Sequence, residues 1–233
     1  MKKTTLLSAL TIFLLIPLTL YLGSNLRGRW HYLTSTLIII ETMLPFFFLF
    51  ESRRPQAREL VTIAVMCALA AASRVAFTFL PSFKPITAII MITGIAFGPE
   101  MGFLTGAVSA FASNFFFSQG PWTPWQMMAY GLGGFTAGLV FSKAPKLRNP
   151  IILAVFGFVM IVAVVGPLLD CCTIFTSLTR ITWKSCLLVL AQGFPLNLSH
   201  GTACAVTMLL FGRPLLEKLD RLKRKYGMLE TGR

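Results

Sequence analysis

Ile151-Ile-Leu-Ala-Val-Phe-Gly-Phe-Val-Met-Ile-Val-Ala-Val-Val-Gly-Pro-Leu-Leu169 carries no charged or hydrogen-bonding side chain, and Asp170 follows it at once. A helix needs about 20 apolar residues to cross roughly 30 Å of hydrocarbon. Lipid offers no partner to a free N–H or C=O, so such a run is a helix or part of a closed barrel. The run is continuous rather than alternating, which selects the helix.

Working outward, comparable runs lie near 4–23, 33–50, 59–80, 85–98, 100–117, 124–142 and 186–212. The one at 85–98 is short, as a re-entrant or tilted helix would be. The one at 186–212 is too long for a simple span and contains Pro195, so a break into two pieces is expected there. The fold class is therefore all-α, a polytopic membrane helical bundle. Composition agrees, with 55% hydrophobic and 12% charged residues in 233 and a mean hydropathy of +0.75. Soluble domains carry about twice that charged share. The start, Met1-Lys-Lys and then an apolar stretch, is similar to a signal peptide. The stretch is long and no A-x-A site follows, so it is read as a retained span.

The net charge of +13 would raise nucleic acid as a partner in a soluble protein. Here the basic residues sit between or after apolar runs, so topology and anionic membrane lipid explain them and no nucleic-acid partner is expected. With the N-terminus inside, fifteen of the 21 Lys and Arg fall on the inner side, five on the outer, and Arg74 within a span. Positive-inside logic then puts both termini in the cytoplasm of a multi-pass protein of the cell membrane.

The polar linker Glu51-Ser-Arg-Arg-Pro-Gln-Ala-Arg-Glu59 divides the chain. Residues 1–58 give two plain spans and a basic linker, with Glu41 as their one intramembrane carboxylate. Residues 59–233 give a six-helix module rich in small residues, ending in a basic tail. In that module Ala64, Ala68 and Ala72 recur every four residues, as do Gly102 and Gly106, and Gly134 and Gly138. That spacing sets each group on one helix face, where backbones approach closely. The glycines read as internal packing. The alanines read equally as packing or as a flat docking surface for a partner helix.

Polar and aromatic groups gather toward the outer side. Arg74 lies about 9 Å of helix rise from Leu80, near enough to snorkel or to face a cavity. Phe79 and Lys84 follow it. Asn114 and Phe117 close the next long helix, and Gln119, Trp122, Trp125 and Gln126 follow in the loop and helix start. Asp170 is expected at a helix end on the same side, and Asn197 and His200 share one face of the last helix. Aromatic rings with a few amides and charges suit a largely apolar organic ligand with polar decoration. Against this, Trp122 and Trp125 could belong to an interfacial aromatic belt, His200 could be a hydrogen-bonded core residue, and Asp170 could cap a helix or pair with Arg180 or Lys184.

No catalytic constellation is present: no G-x-S-x-G, no H-E-x-x-H, and no pair of carboxylates at helical spacing within a span. No P-loop is present either, so ATP hydrolysis is expected in partners and not in this chain. The five cysteines, Cys67, Cys171, Cys172, Cys186 and Cys204, show no metal spacing, and neither metal nor cofactor is expected.

Taken together these residues resemble the substrate-binding S component of energy-coupling factor (ECF) transporters over about residues 59–227. The resemblance rests on the Ala64/Ala68/Ala72 stripe and on the glycines of Gly94-Ile-Ala-Phe-Gly-Pro-Glu-Met-Gly-Phe-Leu-Thr-Gly106. It rests also on Pro121-Trp-Thr-Pro-Trp-Gln-Met-Met-Ala-Tyr-Gly-Leu-Gly-Gly-Phe-Thr-Ala-Gly138 and the basic end Leu219-Asp-Arg-Leu-Lys-Arg-Lys-Tyr-Gly227. It implies a six-helix bundle that takes up a vitamin or similar micronutrient and docks through the alanine stripe. The implied partners are a transmembrane T component and two cytoplasmic ATPases. Among subfamilies the chain looks most like the cobalamin type, on the segments Arg74–Pro85 and Asn114–Trp125 and on Asp170. Carriers of riboflavin, folate or a queuosine precursor would show similar ingredients. The two extra N-terminal helices depart from the six-helix pattern.

Overall fold

The computed structural model describes residue 7 and residues 10–24, 31–52, 56–178 and 180–228. The other positions, including Lys2, Lys3, Arg27, Arg29, Arg53 and Arg54 from the charge argument, lie outside the described residues. Among the described residues the chain is helical, without a strand. The helices are α1 (Ile16–Ser24, entered through a π turn at Thr11–Leu15), α2 (His31–Ser52), α3 (Ala57–Ala76), α4 (Ile86–Phe97), α5 (Pro99–Phe117) and α6 (Trp122–Phe141). After these come α7 (Pro150–Met160), α8 (Gly166–Ser177), α9 (Trp183–Thr207) and α10 (Arg213–Lys225).

Local chemistry sets several boundaries. Gln56 and Glu59 form a reciprocal capping box at the start of α3, and Thr182 and Ser185 do the same for α9. Asn149 accepts the Ile151 N–H at 2.9 Å and Pro150 takes the first helical position of α7, where its missing N–H costs nothing. Gly98 alone joins α4 to α5, at φ 102°, a conformation that a Cβ would oppose.

Helix α4 is the axis of the bundle. All twelve of its residues are buried, with α3, α5, α6, α9 and α10 against it. At about 18 Å it is shorter than a bilayer core. The short span expected at 85–98 is thus a central helix that protein, not lipid, surrounds. Among the described residues four segments are long and apolar enough to cross a membrane: Leu33–Ser52, Ala57–Ala76, Pro150–Ser177 and Trp183–Lys225. Helices α5 and α6 have the length, 19 and 20 residues, but many of their positions are glycine, serine and threonine facing neighbouring helices.

Two expectations are corrected. Helical structure runs through Pro195, from Trp183 across a π turn at Met208–Gly212 to Lys225. The bundle around α9 holds the helix together where an isolated one would break. Asp170 does not end a helix. It lies in the first half of α8, which continues α7 through a π turn at Ile161–Val165.

Close packing of α4, α5 and α6 explains the glycines. A Cβ on Gly102 would come within 2.7 Å of the Gly94 Cα, and one on Gly138 within 2.6 Å of the Pro99 Cα. Helix α2 packs onto the outside of this trio. Phe46 stacks on Phe103 with centroids 4.1 Å apart and meets Phe135 edge-on at 5.0 Å. Thr19 of α1 donates to Glu41 of α2 at 2.5 Å. At the opposite end from the Phe77–Pro85 loop, Arg148 ties the bundle together. It donates to the carbonyls of Phe141, Ser142 and Ile95 and pairs with Asp220 at 2.9 Å.

Candidate functional site

Four helices and the α3–α4 loop converge on a cavity of about 300 Å³ at the end of the bundle formed by the α3–α4 and α5–α6 loops. Arg74 enters from the last turn of α3, and Ser82 and Lys84 come from the loop after it. Trp122, Gln126 and Tyr130 descend one face of α6, spaced by four. Asp170 and Cys172 come from α8, and Asn197 and His200 from α9.

Arg74 is buried, with 6% of its surface exposed. Its Nη1 donates to Ser113 Oγ at 2.6 Å and Asn114 Oδ1 at 2.8 Å. Asn114 passes the constraint on, donating to Thr123 Oγ1 at 3.1 Å and Gln126 Oε1 at 2.8 Å. Gln119 accepts from Thr123 at 2.8 Å and donates to the Phe111 carbonyl. Phe117 lies beneath both cations: the guanidinium carbon of Arg74 is 4.6 Å from its ring centroid and Lys84 Nζ is 4.7 Å away. Burial, and then the charge of Arg74, hold the Lys84 ammonium below the ordinary lysine pKa.

On the other wall Asn197 donates to Asp170 Oδ2 at 2.8 Å. Two glycines make room for this pair. A Cβ on Gly193 would fall within 2.6 Å of the Asp170 carboxyl carbon, and one on Gly166 within 2.6 Å of Asn197 Nδ2. His200 Nε2 meets Thr87 Oγ1 at 3.2 Å, and its ring faces the edge of Tyr130 at 6.0 Å. Ser199 donates to the Pro81 carbonyl, fastening α9 to the mouth loop.

Of the residues singled out from sequence, Arg74, Lys84, Trp122, Gln126, Asp170, Asn197 and His200 line the cavity. Asn114 and Phe117 lie behind Arg74 and support it. Gln119 is exposed and braces the loop. Trp125 is buried and stacked on Phe175 at 5.8 Å, away from the cavity. Phe79 is 75% exposed and stacks on Phe77. Tyr130, Ser82, Cys172, Ser113 and Thr87 were missed. Tyr130 sits four residues beyond Gln126, so the α6 periodicity could have found it. Nothing local marks Thr87 or Ser113.

Ala64, Ala68 and Ala72 face outward on α3, with Val61, Val65 and Leu69 beside them, while Ile63, Met66, Cys67, Ala70 and Arg74 face inward. The alanine stripe is therefore not consumed by packing inside the chain. A second hollow, about 500 Å³, opens at the far end beside Gly98, Lys143 and Lys223. It is larger, but Phe97 is the one aromatic residue in its lining and that side chain is buried in the core.

Fold and site together define a multi-pass membrane bundle with a polar, ring-lined cup at one end and a smooth helical flank at its side. The family model for the S component of ECF-type riboflavin transporters matches residues 55–219. The chain belongs to this family of ECF S components, the substrate-specific subunits of vitamin-type transporters. No curated protein and no solved structure matches the chain.

Proposed function

We propose that this chain captures a flat, ring-containing vitamin from outside the cell and delivers it by docking on a transmembrane T component served by two cytoplasmic ATPases. In this reading the chain itself has no enzymatic activity. Residues 59–233 form the capture module, residues 1–58 brace it through the α2 aromatics, and both termini are in the cytoplasm. Arg74, Lys84, Gln126, Asp170, Asn197 and His200 supply polar contacts, and Trp122 and Tyr130 supply ring surface. Asn114, Phe117 and Gln119 hold these in place.

The observation that carries the reading is the division of labour on α3. Its last turn delivers Arg74 to the cavity, and its outer face presents Ala64, Ala68 and Ala72 to a partner. Methyl-sized side chains at that spacing let a second helix approach closely. Helix α2 already occupies the flank of α5 and α6, which leaves the α3 flank for docking.

The cobalamin-type reading fits this cavity less well than its riboflavin alternative. About 300 Å³ is the lower end of ligand pockets and suits one flat heterocycle, whereas a corrin with its nucleotide arm is several times larger. The family model takes its description from riboflavin carriers, which points the same way. Enzymatic use of His200 has one attraction, its contact with the Thr87 hydroxyl. Thr87 is 1% exposed and does not line the cavity, so that hydroxyl supports the ring and cannot reach a substrate.

Ala68→Trp tests the docking role. Uptake in cells that supply the partners should fall to background, while the purified variant binds ligand like the parent. Normal uptake by Ala68→Trp would refute the docking face.

A further inference from the structure

Among the described residues two arginines are largely buried, and their surroundings differ. Arg148 donates to three backbone carbonyls and to the Asp220 carboxylate. Arg74, the more deeply buried, has two neutral oxygen partners and the Phe117 ring, and its Nε has no partner. Among the described residues no carboxylate lies within ion-pairing distance of Arg74 or of Lys84. Yet the two cations share one aromatic ring and one cavity. The carboxylate that also lines that cavity, Asp170, is engaged by Asn197 on the opposite wall.

A guanidinium cannot shed its charge, and an uncompensated buried charge is costly. Two like charges over one ring add to that cost, which an anion arriving at the cavity would relieve. We infer that the captured molecule carries an anionic oxygen group, a carboxylate or a phosphate, which it places between Arg74 and Lys84 while its ring lies along Trp122 and Tyr130. This rests on the capture reading given above and narrows it from flat heterocycles in general to acidic ones. The planar donor fork of Arg74 suits either oxyanion. Asp170 then meets a donor N–H or O–H at the far end of the molecule, which fixes the orientation.

The test uses the full chain in nanodiscs with three probes that share one ring system: riboflavin, riboflavin 5′-phosphate, and a flavin bearing a carboxymethyl group. At least one anionic flavin should bind about tenfold or more tightly than riboflavin, and the stronger of the two identifies the oxyanion. Lys84→Met should shrink the ratio of anionic to neutral affinity below about threefold, and Lys84→Arg should preserve it. Mass spectrometry of the compound released from freshly purified protein is the second readout, and an acidic compound is expected. Riboflavin binding as well as its acidic analogues, or a neutral released compound, would overturn the anion inference and leave capture standing. No bound probe together with no released compound would overturn capture itself, and the inference with it.

Discussion

Gly134→Ala tests how the scaffold beneath the cavity is built. The new Cβ would lie against the Gly102 carbonyl oxygen, 2.7 Å from the Gly102 carbonyl carbon and 2.8 Å from Ile90 Cγ2. Ordinary contact begins near 3.4 Å, and two of these obstacles are backbone, so α5 and α6 must part. Overpacking of this kind costs about 1–3 kcal/mol, and a backbone obstacle places it at the upper end. Alanine's better helix propensity returns about 1 kcal/mol, leaving about 2 kcal/mol of net destabilisation. For a chain of this size that is a fall in Tm of about 4–8 °C. Ligand affinity should fall too, because α6 carries Trp122, Gln126 and Tyr130. Gly133→Ala is the control. Its Cβ would meet the Met91 methyl at 3.3 Å and Val165 Cγ2 at 3.5 Å, side-chain atoms that can give way. The assay is thermal unfolding of both purified variants in one detergent. Gly133→Ala should melt with the parent or slightly above it. Gly134→Ala melting with the parent, or above Gly133→Ala, would refute the close-packing argument.

Two further predictions concern charge. Arg148→Ala removes three donations to carbonyls and a partly exposed ion pair. It should cost about 2 kcal/mol by the same melting assay without changing the selectivity of the cavity, which lies at the other end of the bundle. Binding of an acidic flavin should weaken as pH rises through the Lys84 pKa, which lies below the 10.5 of an ordinary lysine. The sign follows from lysine being charged below its pKa and neutral above it. Arg74 on α3, Tyr130 on α6, Asp170 on α8 and His200 on α9 share the cavity, so the assignment is made with Lys84→Arg, which should flatten that limb of the titration curve.

The membrane bundle was legible because burial in lipid leaves a long, continuous signature, as at 151–169. The convergence of Arg74, Lys84, Trp122, Gln126, Asp170, Asn197 and His200 on one end followed from counting spans and placing polar groups on one side. Finer geometry was not legible. Phe79 and Trp125 carry the same aromatic character as Trp122, yet Phe79 stands exposed in the turn after α3 and the rotation of α6 sends Trp125 into the core. Helical structure passes through Pro195 because tertiary contacts override a local preference. Helix α4 looked like a poor span because its shortness reflects burial in protein, which hydropathy does not distinguish from burial in lipid. Gly166 and Gly193 gave no local sign of the Asp170–Asn197 pair they admit, since that need arises between helices far apart in sequence.

The central claim is that capture needs no energy and uptake needs someone else's ATP. Vesicles holding this chain alone should bind the released or acidic-flavin ligand at their surface and accumulate none inside, with or without internal ATP. Adding the T component and its two ATPases should produce accumulation that requires ATP. Accumulation by the chain alone, or ATP-independent accumulation with the partners, would contradict the account.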